Sequence, residues 1–277
     1  MVKAVATYAQ FTAGRPLAAR LREAARDAAV CGLGLLPRAA GTGWVRFPFY
    51  HHVYDDERRG FERHLSFLKD RGEFLSLDDA INLLASGQPI DGRYFCLTFD
   101  DGLAGCRHAI DILVARGLPA AIYVAADLIG QAFAPGDPVA TGRFGYRGTD
   151  GWLGFLSWDQ CRAAHGAGIA IGSHTGGHVA LARLSDDDSL AELTRSRQRI
   201  EAELGAPCRH FCAPFGLPER HYRPDRDPAL ARAAGYLSFA TGLRGPNRAG
   251  QDVFALRRDQ LLAGWSTAQL RYFLSRP

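Results

Sequence analysis

No stretch of this chain approaches the roughly 20 consecutive apolar residues that a bilayer-spanning helix needs. The apolar piece at 28–36 is short and broken by Gly32 and Gly34. The first ten residues carry one lysine and no long apolar run, so no secretory signal is expected and the cytoplasm is the default compartment. Paired cysteines are also lacking. The six thiols (Cys31, Cys96, Cys106, Cys161, Cys208 and Cys212) are scattered, and no second pair joins Cys208 and Cys212 to complete a tetrahedral zinc set. At 277 residues the chain needs no disulfide staples, and the cysteines read as reduced, buried thiols. A strong charge of either sign is missing too: the net value of +4 gives no reason to expect a nucleic-acid partner. The chain shows no internal repeat and no low-complexity tract.

What is present is core material. Hydrophobic residues make up 47% of the chain and charged residues 22%, which excludes wholesale disorder. The length admits two small domains or one α/β barrel. Residues 1–43 read as a helical appendage: a strand-like start, a helix over about 16–30, and a Gly-rich connector. The segment 17–30 is basic and weakly amphipathic, which would suit a peripheral membrane contact. From residue 44 to 277 the pattern is more regular. Strands at 45–53, 94–99, 119–125, 169–172, 209–215, 237–242 and 253–258 alternate with helices at 61–71, 77–86, 105–116, 157–167, 185–204, 227–235 and 266–274. This alternation is the signature of βαβ units around a parallel sheet. The segment 131–155, rich in glycine, reads either as a substrate-facing lid or as a surface excursion. Asp186, Asp187 and Asp188 follow the cap Ser185 and read as helix-start chemistry rather than as a metal site.

The stretch 94–102, Tyr-Phe-Cys-Leu-Thr-Phe-Asp-Asp-Gly, is the centre of the pattern. Its apolar and β-branched start has the composition of a buried strand, and it ends in two carboxylates. Burying a charge costs several kcal/mol unless it is paired or bound to metal, so Asp100 and Asp101 belong either in an ordinary turn or at the mouth of a site. A second short strand ends in Ser173-His174-Thr175-Gly176-Gly177-His178. With Asp101, the two imidazoles would form a set that leaves coordination positions open, suited to Zn²⁺, Fe²⁺ or Co²⁺ in a catalytic site. If strand geometry persists, Asp100 and Asp101 point opposite ways, one to a metal and the other to its water as general base.

Three segments, each after a strand, carry a family likeness: 98–102, 173–178 with Leu181, and 211–216, Phe-Cys-Ala-Pro-Phe-Gly. In this order they resemble the first three motifs of the polysaccharide deacetylase superfamily (NodB homology, carbohydrate esterase family 4), over about 47–262. The resemblance implies a distorted (β/α)7 barrel and metal-dependent hydrolysis of the N-acetyl group of an acetamido sugar. It also implies Asp100 as catalytic base, Asp101, His174 and His178 as metal ligands, and the Phe215 N–H as oxyanion donor. The metal expected is Zn, with Co, Fe or Ni as alternatives.

Two departures from the family pattern stand out. Cys212 occupies the place of the arginine that pairs with the base; Arg258, or its neighbour Arg257, is the candidate substitute. The family's late acid histidine is missing, since no histidine follows His221. His51 is the first choice as acid, ahead of His52, His210 and His221. The substrate expected is a saccharide precursor, with lipid or nucleotide linkage as the options. The rivals are a deformylase or other amide hydrolase, and an inactive carbohydrate-binding protein; the oligomeric state is not legible.

Overall fold

The structure, a computed structural model, describes residues 3–36 and 41–275. The expected connector falls in part, at 37–40, outside the described residues.

Seven short strands carry the architecture, and their buried residues set it. They are β1 (Pro48–Tyr50), β2 (Leu97–Phe99), β3 (Ala120–Val124), β4 (Ala170–Ser173), β5 (His210–Cys212), β6 (Ser238–Ala240) and β7 (Asp259–Gln260). Every residue of β1, β2, β3, β5 and β6 is buried, as in strands covered on both faces. All pairings are parallel, in the order β6-β5-β4-β3-β2-β1-β7, so neighbours in the sheet are neighbours in sequence except where the last strand, β7, pairs with the first. The segment leading into β7 draws the edges together: Leu256 bridges Ala240 of β6, and Asp259 pairs with Pro48 of β1. The result is the expected distorted (β/α)7 barrel.

The helices around it follow their apolar periodicity. Arg58–Lys69 buries Phe61, Leu65 and Leu68 against the sheet. Trp158–Gly166 and Thr267–Leu274 open on Ser157 and Ser266, each in a capping box with a glutamine, and Ser185 caps Asp186–Leu204.

Four expectations change. The runs at 45–53 and 94–99 are each interrupted, at Phe47 and Cys96. Their first halves, Trp44–Arg46 and Arg93–Phe95, join Glu73–Phe74 in a separate small sheet, and their second halves enter the barrel. The segment 253–258 is not a strand. Asp252 accepts from Phe254 N–H and turns Val253–Ala255 into one 3₁₀ turn, which delays β7 to Asp259. The start of the chain is helical at Tyr8–Thr12, where Thr7 and Gln10 form a capping box. Finally, 131–155 is not structureless: it holds the helix Pro138–Arg143, capped by Asp137, and a two-stranded hairpin of Ala132–Phe133 with Leu153–Gly154.

The N-terminal residues lie against the barrel. The Phe11 ring packs on His52, Tyr54 and Tyr146 at 5.2, 5.9 and 5.6 Å. Helix Leu17–Gly34 meets Thr267–Leu274 so closely that a Cβ on Gly34 would stand 1.8 Å from the Ala268 carbonyl oxygen. Overpacking of this kind costs about 1–3 kcal/mol. Gly34→Ala is therefore expected to loosen this helix, read as faster amide exchange over 17–34 with the barrel strands unchanged.

Candidate active site

The carboxyl ends of the barrel strands open on a cavity of about 240 Å³. His51 enters it after β1, Asp100 and Asp101 after β2, His174 and His178 after β4, and Phe215 after β5. Arg258 comes from the β7 side, and Arg143 and Phe144 from the segment 131–155. The lid alternative for that segment thus gains a physical basis, because two of its residues wall the cavity.

Strand geometry ends at Asp100, whose N–H still donates to the Tyr50 carbonyl (2.9 Å). Asp101 is left-handed (φ 72°), yet the two carboxylates still diverge. Asp101 Oδ1 lies 3.5 Å from His174 Nε2 and 3.2 Å from His178 Nε2. Donor atoms about 2.0–2.1 Å from a tetrahedral zinc would stand about 3.3–3.4 Å apart, close to both separations. His174 Nδ1–H donates to the Cys212 carbonyl (2.8 Å), which fixes the tautomer and leaves Nε2 facing Asp101. Asp101 Oδ1 is buried and has no hydrogen-bond partner among the described residues. A buried carboxylate oxygen rarely stays unpaired, and here two imidazole nitrogens face it. The donor set fits a divalent metal.

Asp100, His174 and Cys212 also lie close enough to be weighed as ligands. That set is the poorer one. Burial pushes the Cys212 thiol up, keeping it protonated at neutral pH, and both Asp100 oxygens are already committed.

They are committed to Arg258, whose Nη1 and Nη2 donate to Asp100 Oδ1 and Oδ2, each at 2.7 Å. The guanidinium is itself fixed: Nε donates to the Thr241 carbonyl (2.9 Å), and the plane lies 4.1 Å from the Phe49 ring. Arg257 turns away and donates to the Arg244 carbonyl. Cys212 Sγ is 3.9 Å from each Asp100 oxygen, in the place of the missing arginine. Burial alone would raise the Asp100 carboxyl, but the Arg258 charge outweighs it and holds the group below the usual carboxylate range. Burial opposes ionisation of Asp101 in the same way, and the two histidines hold it well below that range.

Backbone strain concentrates here. Among the described residues five non-glycine positions are left-handed, and Asp101, Thr175, His178 and Phe215 all belong to this site. The 173–178 loop is held from outside: Gly176 N–H donates to Glu192 (2.6 Å), and Arg195 ties Glu192 to Asp127. A Cβ on Gly176 would come within 2.5 Å of both the Asp127 carboxylate and the Arg195 guanidinium, so a larger residue would push that ion pair aside. The His178 ring lies between Phe144 and Phe215, with centroids at 4.8 and 4.5 Å. The Phe215 N–H makes no hydrogen bond within the described residues.

The remaining histidines separate clearly. His51 lines the cavity, 5.6 Å from the Phe49 ring. His52 points the other way, bonded to Glu57 (2.9 Å) and stacked on Tyr54. His210 sits in β5, held by Asp78 and Ser238, and His221 packs on the outer side of Phe215. Sequence reasoning missed Phe49, Arg143, Phe144 and Thr241. Phe49 lies in the middle of β1 and Thr241 directly after β6, neither with a signal of its own, whereas Arg143 and Phe144 sit in a segment whose length alone marked it.

The family model for polysaccharide deacetylases matches residues 87–236, which holds both aspartates, both histidines and the 211–216 segment. The chain belongs to the polysaccharide deacetylase family. Solved structures of similar fold include IcaB from Ammonifex degensii, 23% identical, covering 84% of this chain and 100% of that one at a TM-score of 0.67. The Streptococcus pyogenes deacetylase PplD, in complex with acetate, is 20% identical over 86% of this chain and 100% of its own, at a TM-score of 0.66. A de-N-acetylase from Aggregatibacter actinomycetemcomitans is 19% identical over 83% of this chain and 99% of its own, at 0.65. No curated protein sequence matches. Arg258 lies outside the span matched by the family model, so this family member draws the partner of Asp100 from beyond it.

Proposed function

We propose that the chain is a metal-dependent hydrolase that removes the N-acetyl group of an acetamido sugar in a saccharide or saccharide precursor. One observation carries the reading: Asp101, His174 and His178 converge beside an ion-paired Asp100 in a single cavity. A divalent ion held by those three side chains, Zn before Co, Fe or Ni, would supply Lewis acidity to the acyl carbonyl and acidify the attacking water.

The chain's own residues do the rest. Asp100, kept ionised and oriented by Arg258, takes the proton of the attacking water. The Phe215 N–H donates to the oxygen that becomes negative as the carbonyl carbon turns tetrahedral, a contact contributing about 3–4 kcal/mol. His51 delivers the proton that lets the amine leave, so acetate and a free amino sugar are the products. The aromatic faces of Phe144 and Phe215 border the cavity and exclude water from one side. Its volume is below the roughly 300–1,000 Å³ of sites that engulf whole ligands, which suits one residue of a longer or carrier-linked saccharide.

Cys212 in place of the family arginine would favour an inactive binding protein; the Arg258 contact with Asp100 takes away that ground. The deciding test is acetate release from a panel of acetamido sugars, free, lipid-linked and nucleotide-linked, with formamido analogues alongside. Acetate from an acetamido sugar is expected. Formate alone would place the chain with the deformylases, and no release from any compound would leave the binding-protein reading. His51→Gln is expected to lower kcat by about 10²–10⁴-fold while metal content stays unchanged.

A further inference from the structure

Helix Leu17–Gly34 buries Val30 and Gly34 against the body but leaves an apolar stripe on its solvent side. Glu23 and Asp27 lie on its half-buried side, where Glu23 pairs with Arg15 (2.8 Å) and Asp27 with Arg26 (2.9 Å). Leu17, Leu21, Ala24, Ala28 and Leu35, spaced three, four or seven apart, all face solvent. Leu17 is 69% exposed, Leu21 62% and Leu35 66%, so nothing among the described residues covers this stripe. Its width is marked by Arg20 on one flank and Arg22 on the other. Both are exposed, and neither side chain makes a hydrogen bond or ion pair among the described residues.

Solvent-facing leucines on a helix bordered by unpaired arginines match the boundary between headgroups and acyl chains. The helix cannot cross a bilayer, because Arg20, Arg22, Glu23, Arg26 and Asp27 fall within it. A second copy of the chain fits less well. Pairing two such stripes would bring the arginines of both copies together, while the acids that could neutralise them face inward. We propose that this stripe docks the protein on the surface of an anionic lipid bilayer, with the leucines inserted and Arg20 and Arg22 on the headgroups. The helix is fixed for this role by Gly34 against the Ala268 backbone and by Cys31 against Ser266. It also borders Gly145 and Arg147, just after the two residues that wall the active-site cavity.

The experiment is flotation of the full chain with vesicles of equal parts phosphatidylglycerol and phosphatidylcholine, against phosphatidylcholine alone. The protein should float with the anionic vesicles only, and high salt should weaken the arginine contribution. Leu17→Glu with Leu21→Glu should lower partitioning by at least about tenfold, and Arg20→Ala and Arg22→Ala by about fivefold each. Circular dichroism should be unchanged in all variants, since each side chain is exposed. Failure of the wild type to float, or equal flotation of the leucine variant, would overturn the proposal. So would a dimer in solution that the leucine substitutions dissociate, since a second copy would then be the occupant.

Discussion

Asp100→Asn is expected to lower kcat by about 10²–10⁴-fold while the metal content of the protein stays that of the wild type. An amide cannot accept the proton of the attacking water, whereas the ligand set of Asp101, His174 and His178 keeps its atoms and its Cys212 contact. The substitution also leaves the Arg258 guanidinium buried without its counter-charge, so the assay must be run where circular dichroism shows the variant folded. Wild-type rates of acetate release from Asp100→Asn would show that another group serves as base.

Arg258→Met should produce the largest loss of stability of any single change in the site, about 3–5 kcal/mol, because it leaves a buried carboxylate unpaired. The pH dependence should change sign with it. In the wild type the Asp100 carboxyl is held below its unfolded value, so the pair's contribution is present above the ordinary carboxylate pKa of about 3.9 and is lost as pH falls through the folded value. Without Arg258, burial loses its largest opponent and raises the carboxyl, with only His174 and His51 left to counter it. The variant is then least stable at neutral pH and recovers as acid protonates Asp100, and the acidic limb of its kcat/KM profile moves upward. Denaturant melts at several pH values check the first effect. The double variant Arg258→Met with Asp100→Asn should be more stable than Arg258→Met alone, because it removes the stranded charge. If the two losses simply add, the pair is not coupled as its geometry requires.

Much of this was legible because strand ends announce themselves. Composition gave away the buried strand before Asp100, and Ser157, Ser185 and Ser266 marked helix starts that the fold keeps. The 173–178 loop was readable because two glycines between two histidines favour a tight loop over a helix. What stayed hidden depends on contacts across the barrel. Nothing near Arg258 says that its side chain reaches Asp100 through the core; the candidates Arg257 and Arg258 are separated only by which of them β7 turns inward. The one-residue interruptions at Phe47 and Cys96 keep the apolar run intact, so hydrophobicity cannot locate them. The solvent-facing leucines at 17 and 21 read from sequence as an ordinary amphipathic stripe. Only the packing of Glu23 and Asp27 against the body reveals which face is outward.

The most direct test of the account is the metal content of the purified chain and of three variants, by elemental analysis after dialysis against metal-free buffer. The account predicts close to one divalent ion per chain in the wild type and in Asp100→Asn, and loss of that ion in Asp101→Ala and His174→Ala. A wild-type chain that binds no divalent ion when one is supplied, or an ion retained equally by all three variants, would contradict it.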